Sequence, residues 1–251
     1  MDTTSPWNLK TASDHEQAGG AVFVTPNPEP DGARVQFFTR LGGVSEAPFD
    51  SLNVSMTVGD DHDAVMENLS RIKASMDGCS SAWIQQVAGD EIVRVEEPGF
   101  AGQADALITG ENNLALVVAV ADCVPVALVG DGEVAMVHSG WRGTISGISG
   151  KTARVLDGDS VRAYIGPCIR RCCYEVSEEL AGSFSDRFGS EVVSGRNLSL
   201  PDAIKTDLEE QGVGEVHDLG LCTGCRPDLF YSHRKQGPIT GRSLATVVKT
   251  S

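Results

Sequence analysis

The sequence predicts an α+β fold: a single domain with a mixed, largely antiparallel β-sheet core flanked by helices. Three observations predict it. Short apolar runs rich in Val and Ile outnumber the segments with helical spacing. Several runs adjoin through turns too short for the crossover that parallel neighbours need. The chain of 251 residues is 41% hydrophobic with 28 Gly and 11 Pro, which supplies both a core and many tight turns.

Residues 1–20 are polar and aperiodic and read as a flexible leader, which leaves 21–251 as the domain. Val35 to Phe38 reads as a strand entering the turn at Gly42-Gly43. Asp61 is a helix cap, with Val65, Leu69, Ile72 and Met76 at helical spacing and Gly78 as the stop. Trp83 to Val87 and Glu91 to Val95 read as two strands around a Gly89-Asp90 turn. The run Leu114 to Val120 is continuous and apolar, and its Val content favours a buried strand. Val124 to Val129 and Val134 to Val137 continue as strands. Gly143 to Leu156 and Val176 to Phe188 read as helices, with a strand at Val161 to Ile165 between them. Pro201 opens a helix to Gln211, and Leu244 to Val248 is a final strand. No internal repeat or linker divides the chain.

The net charge of -15 argues against nucleic acid and anionic membrane as partners. No apolar run approaches the roughly 18 residues of a membrane span. The N-terminus lacks the basic and apolar regions of a signal peptide, so the expected location is cytoplasmic. The seven Cys are then reduced thiols rather than a disulfide framework.

The chemistry concentrates in Ala121-Asp-Cys-Val-Pro-Val and Val137-His-Ser-Gly-Trp-Arg-Gly. Each Cys or His adjoins an apolar run, and a short turn separates the runs. Cys123 and His138 therefore come to one sheet edge, as a metal pair or as a nucleophile with its base. The plain alternatives stay open: a free Cys is usually a small buried hydrophobe, and a His can be a hydrogen-bonded core residue. Arg142 adds a forked donor suited to phosphate or carboxylate. Cys222-Thr-Gly-Cys225 has zinc-knuckle spacing, but a structural site needs a second pair. Cys168, Cys172 and Cys173 can furnish one only if the fold brings them close. Walker, Gly-x-Gly-x-x-Gly and Gly-x-Ser-x-Gly motifs are all absent from the sequence.

Many ordered stretches resemble the YfiH-like laccase-domain family, whose members carry the names polyphenol oxidase, peptidoglycan editing factor and purine nucleoside phosphorylase. They include Phe38-Thr-Arg-Leu-Gly-Gly-Val-Ser, Ser51-Leu-Asn, Val58-Gly-Asp-Asp, Gln86-Val-Ala-Gly, Ala104-Asp-Ala-Leu and Ala121-Asp-Cys-Val-Pro. His138-Ser-Gly-Trp-Arg-Gly, Ile165-Gly-Pro-Cys, Cys173-Tyr-Glu-Val, Cys222-Thr, Phe230-Tyr-Ser-His-Arg and Thr240-Gly-Arg follow. The resemblance implies a zinc, or copper, held by His, Cys and His, the last two being Cys123 and His138. It implies phosphorolysis of adenosine, inosine or methylthioadenosine, with adenosine deamination as a second activity. Nucleoside and phosphate are the implied partners, with Arg40, Asn53, Arg142 and Gln86 as further site residues.

One position departs from the family pattern. Where the family has its first His, in Gln-Val-His-Gly, this chain has Ala88, whose methyl coordinates nothing. A catalytic zinc ordinarily keeps three protein ligands and one open position, so a third ligand must come from elsewhere, with Cys168 and His233 as the nearest candidates. The departure also motivates two other readings. One is a metal-free Cys/His hydrolase of a cell-wall peptide precursor; the other is a non-enzymatic binding module. Five scattered His cannot furnish the His-rich copper sites of a multicopper oxidase.

Overall fold

A computed structural model describes residues 5–11, 20–156 and 160–250. In chain order the strands and helices begin with β1 (Trp7–Thr11), β2 (Val22–Pro26), β3 (Ala33–Phe38), α1 (His62–Ala74), β4 (Ser80–Gln85), β5 (Ile92–Arg94), β6 (Gly99–Gln103) and β7 (Ala106–Thr109). The central elements are β8 (Leu114–Val120), β9 (Val124–Val129), β10 (Val134–Ser139), α2 (Trp141–Ile145), α3 (Ile148–Val155) and β11 (Arg162–Ile165). The last are α4 (Glu178–Phe188), β12 (Val193–Ser194), β13 (Asn197–Leu198), α5 (Leu200–Glu210), β14 (Glu215–Asp218), α6 (His233–Gln236) and β15 (Ser243–Lys249).

Two sheets dominate, ordered β1-β2-β3-β15-β8-β4-β6 and β14-β11-β9-β10-β7-β5. Most pairs are antiparallel; β4 with β6 and β8, β5 with β7, and β11 with β14 are parallel. The sheets pack face to face, and alternation along each strand explains how. On β8, Leu114, Leu116 and Val118 join Phe37 and Val247 against Leu107, Val129 and Met136 of the second sheet. The intervening Ala115 and Val117 turn the other way, to Ile72 and Met76 on the α1 side. On β9, Val124, Val126 and Leu128 face Ile148, Phe184 and Leu208 of the helical layer. The order of layers is helix, sheet, sheet, helices. Both sheets are covered on both faces, so their central strands read as continuous apolar runs although most pairs are antiparallel.

Four expectations are corrected. Part of the stretch expected as a loose leader is strand β1, which pairs antiparallel along β2 from Trp7↔Pro26 to Thr11↔Val22; positions 1–4 and 12–19 lie outside the described residues. The strands flanking Gly89-Asp90 form no hairpin, because β4 belongs to the first sheet and β5 to the second. The expected helix from Gly143 to Leu156 is two, α2 and α3, broken at Gly147 with φ 74°. Asp207 of α5 sits against this break and accepts the Gly150 N–H at 2.7 Å. The helix expected from Val176 starts at Glu178, because Ser177 caps it by accepting the Leu180 N–H. Among the described residues, no helix is long and apolar enough to cross a membrane.

Candidate active site

Strand register builds the site. In the antiparallel β9–β10 pair, Ser139 lies opposite Val124 and His138 opposite Pro125. Continuing one step places Cys123 beside Gly140, where an added Cβ would stand 3.3 Å from the Cys123 sulfur. On the other side of β10, Val137 pairs with Ala106 of β7, and the His138 N–H donates to the Asp105 carbonyl at 2.8 Å. Three neighbouring strands thus end in a row of Asp105, His138 and Cys123.

The side chains complete the row. His138 Nδ1 lies 2.7 Å from Asp105 Oδ1, and the Cys123 thiol hydrogen-bonds the same imidazole. Asp105 is fully buried. Its carboxylate also accepts the backbone N–H groups of Val87 (3.2 Å), Ala88 (3.0 Å) and Gly89 (2.7 Å). Burial alone would raise the Asp105 carboxyl. The His138 hydrogen bond and the Gly89 and Val87 N–H groups outweigh it and hold the pKa below its ordinary value. Burial likewise works against a charged His138, but Asp105 and Cys123 raise its pKa from 6.5 to about 9. The imidazole is therefore an imidazolium at neutral pH, braced by a carboxylate on one side and a sulfur on the other.

The remaining candidates surround this row in different ways. Gln86 bonds the Ala119 backbone at both ends, donating Nε2–H at 2.9 Å and accepting at Oε1 at 2.8 Å, so it ties the 86–89 loop to the end of β8. Arg142 is exposed, with its guanidinium 4.2 Å from the Trp141 ring centroid. Arg40 is buried; it donates to the carbonyls of Asp50 (2.6 Å) and Pro227 (3.0 Å) and lies over the Tyr231 ring. Asn53 is fully buried and accepts the Arg242 N–H at 2.9 Å. Arg40 and Asn53 are thus each hydrogen-bonded within the protein.

Sequence reasoning gave no role to two residues that the geometry brings forward. Asp105 stands directly before an apolar run, in Ala104-Asp-Ala-Leu, and only the β7–β10 register reveals its partner. Arg242, in Thr240-Gly-Arg, is half-buried. Its pKa is lowered by burial, against the opposing pull of Cys123 and Asp122, so it is a cation close to both. Asp122 itself knits the rim: it accepts Thr223 Oγ1–H (2.6 Å), the Arg234 N–H (2.7 Å) and, at its carbonyl, the Ile169 N–H (2.9 Å).

Among the described residues, no third Cys, His, Asp or Glu converges with Cys123 and His138 into a metal-ligand group. Among the described residues, one group of three or more Cys, His, Asp or Glu converges to within 4.8 Å, and it consists of Cys172, Cys173, Cys222 and Cys225. Neither Cys168 nor His233 completes the Cys123–His138 pair: Cys168 is fully buried and His233 is exposed at the start of α6. Yet Ala88 keeps a left-handed φ of 56°, a conformation in which His is enriched and Ala is not. Its N–H and His138 share Asp105 Oδ1. Ala88→His therefore makes a His, Cys, His set, and elemental analysis should find one zinc per chain more than in the parent. Unchanged zinc content would contradict this placement.

A family model described as multi-copper polyphenol oxidoreductase laccase matches residues 34–250. A Pseudomonas aeruginosa protein named purine nucleoside phosphorylase is 34% identical over 90% of this chain and 98% of its own length. The purine nucleoside phosphorylase YfiH of Escherichia coli is 30% identical over 90% of this chain and 98% of its own. The crystal structure of YlmD from Geobacillus stearothermophilus superposes with a TM-score of 0.83 at 30% identity, covering 96% of this chain and 100% of that one. A Neisseria meningitidis structure gives 0.82 at 26% identity, with 97% and 100% coverage.

Proposed function

The chain belongs to the multi-copper polyphenol oxidoreductase laccase family, and on that footing we propose that it is a purine nucleoside phosphorylase acting at the Asp105–His138–Cys123 row. The row is the observation that carries the reading: a buried carboxylate, an imidazolium and a thiol aligned where three strands end. Relatives that match nearly the whole chain bear the name of that activity.

In phosphorolysis a phosphate oxygen bonds to the ribose anomeric carbon while the bond from that carbon to the purine nitrogen breaks. The base leaves with the bonding pair and must be neutralised. His138, held protonated by Asp105, is the donor for that step. Cys123 keeps the imidazolium oriented from the side opposite Asp105. Arg242, a partly buried cation within electrostatic reach of Cys123, is the cation for phosphate, and Asn53 fixes its backbone. Arg142, exposed on its Trp141 platform, is the second phosphate donor. Gln86 holds the 86–89 loop that Asp105 organises, and Arg40 holds the loop around Asp50. No step runs through a metal at this row, because two ligands do not fit a catalytic zinc. Copper oxidation is weaker still, since among the described residues His62, His138, His217 and His233 do not gather with one another into a copper site.

A chromatographic screen of adenosine, inosine and methylthioadenosine tests the reading. Free base and ribose 1-phosphate should accumulate when phosphate is present and not without it. Base release at the same rate without phosphate would contradict it. Adenosine deamination as a second activity would show as inosine before any base appears.

One observation also favours a metal-free hydrolase. Cys123, His138 and Asp105 are ordered as nucleophile, base and orienting carboxylate. That enzyme would cleave an amide in a cell-wall peptide precursor without phosphate, resist chelators and be silenced by alkylation of Cys123.

A further inference from the structure

We propose that Cys172, Cys173, Cys222 and Cys225 form a tetrathiolate site for one structural zinc ion, separate from the Cys123–His138 row. The sulfurs come from two loops about 50 positions apart, the Cys172 and Cys222 positions being separated by that number. All four lie within 4.8 Å of one another. Cys172 stands 3.5 Å from Cys222 and 3.5 Å from Cys225, and Cys173 stands 3.5 Å from Cys225. A tetrahedron with zinc–sulfur bonds of about 2.3 Å has edges of roughly 3.8 Å. The cluster is thus the right size for a single ion with four sulfur ligands. An iron–sulfur cluster, with several metal ions between its cysteines, needs more room.

The backbone is already arranged for such an ion. Cys222-Thr-Gly-Cys225 forms a turn in which the Cys222 carbonyl accepts the N–H groups of Cys225 (3.2 Å) and Arg226 (3.0 Å). Backbone groups of Arg170 and Cys225 also hydrogen-bond the Cys222 sulfur, the kind of contact that stabilises a metal-bound thiolate. Gly224 lies inside this turn, and a Cβ there would stand 3.0 Å from the Cys173 Cβ and sulfur, so a larger residue would press the second loop a few tenths of an ångström away from the first. The backbone also joins the two loops: Cys168 N–H donates to Leu221 O at 3.2 Å, and Thr223 N–H to Cys168 O at 2.9 Å. Cys168 stays outside the ligand set, fully buried.

Position in the fold gives the ion a purpose. The same two loops carry Ile169 and Thr223, whose N–H and hydroxyl bind Asp122, the residue next to Cys123. Zinc bound by the four thiols, each giving up its proton on coordination, would pin together the loops that hold the Cys123 turn. The donor set is all sulfur and four-coordinate, which selects a soft ion over magnesium or calcium.

The test uses the full chain, reduced, stripped with chelator and titrated with zinc alone. Parent and Cys123→Ala should each retain one zinc per chain after gel filtration. Cys172→Ser and Cys225→Ser, at exposed positions, should each bind zinc more weakly by over about tenfold. Without any substitution, zinc should shield Cys172, Cys173, Cys222 and Cys225 from iodoacetamide while Cys123 still reacts. Zinc lost from Cys123→Ala and kept by the serine variants would overturn the proposal. So would equal alkylation of the four thiols with and without zinc, or purification of the chain with iron in their place.

Discussion

Cys123→Ala abolishes phosphate-dependent base release, lowering it by at least about a hundredfold, the lower range for losing a positioned acid–base partner. The sulfur hydrogen-bonds His138 and sits at the centre of the row, so its loss frees the imidazolium to turn away from the substrate. Stability should change little, because a small, partly buried thiol becomes a methyl. Urea unfolding beside the kinetic assay separates the two effects. A variant that folds normally and keeps full activity would remove Cys123 from the reaction.

Asp105→Ala has the largest expected effect on the fold. The carboxylate is fully buried and accepts three backbone N–H groups as well as His138. Removing it strands those donors and leaves the imidazolium unpaired, at a cost of about 3–5 kcal/mol. Asp105→Asn keeps the shape and isolates the charge. In the parent, the folded-state pKa of His138 is raised from 6.5 to about 9. The stabilisation is therefore complete below about pH 6.5 and fades as the pH rises through about 9. In Asp105→Asn the raised pKa falls back, so this decline in stability between neutral and alkaline pH should flatten. Thermal unfolding of both proteins from pH 6 to 10, roughly the window that brackets the shift, reads it directly. An unchanged pH profile in the Asn variant would show that Asp105 does not hold the imidazolium.

How much of this was legible in the chain depends on where each signal resides. Leu114–Val120, Val124–Val129 and the helix capped by Asp61 declare themselves locally, through apolar runs and capping. Strand β1 does not, because its only support is the register with β2. Strand β14, Glu215–Asp218, is polar and lies at a sheet edge, so it has no hydrophobic pattern to find. The break at Gly147 depends on Asp207, which arrives from a helix some 60 residues later. The site divides the same way. Cys123 and His138 stand out because their strands adjoin in sequence. Asp105 pairs with His138 only through strand register, and Arg242 meets Cys123 only after the last strand returns to the middle of the sheet. The four clustered thiols are the clearest case: the Cys222–Cys225 spacing is visible, but only folding selects Cys172 and Cys173 over Cys168 as its complement.

The most direct test of the central claim is the fate of labelled phosphate oxygen. The chain is incubated with inosine and phosphate carrying heavy oxygen at every position, and the ribose 1-phosphate is analysed by mass spectrometry. Direct attack of phosphate on the anomeric carbon places heavy oxygen in the bridge between that carbon and phosphorus, so the product retains the full label of the phosphate. Ordinary oxygen in the bridge would show that water attacked first and phosphate was added later. That result, or base release with no labelled sugar phosphate at all, would contradict phosphorolysis at the Asp105–His138–Cys123 row.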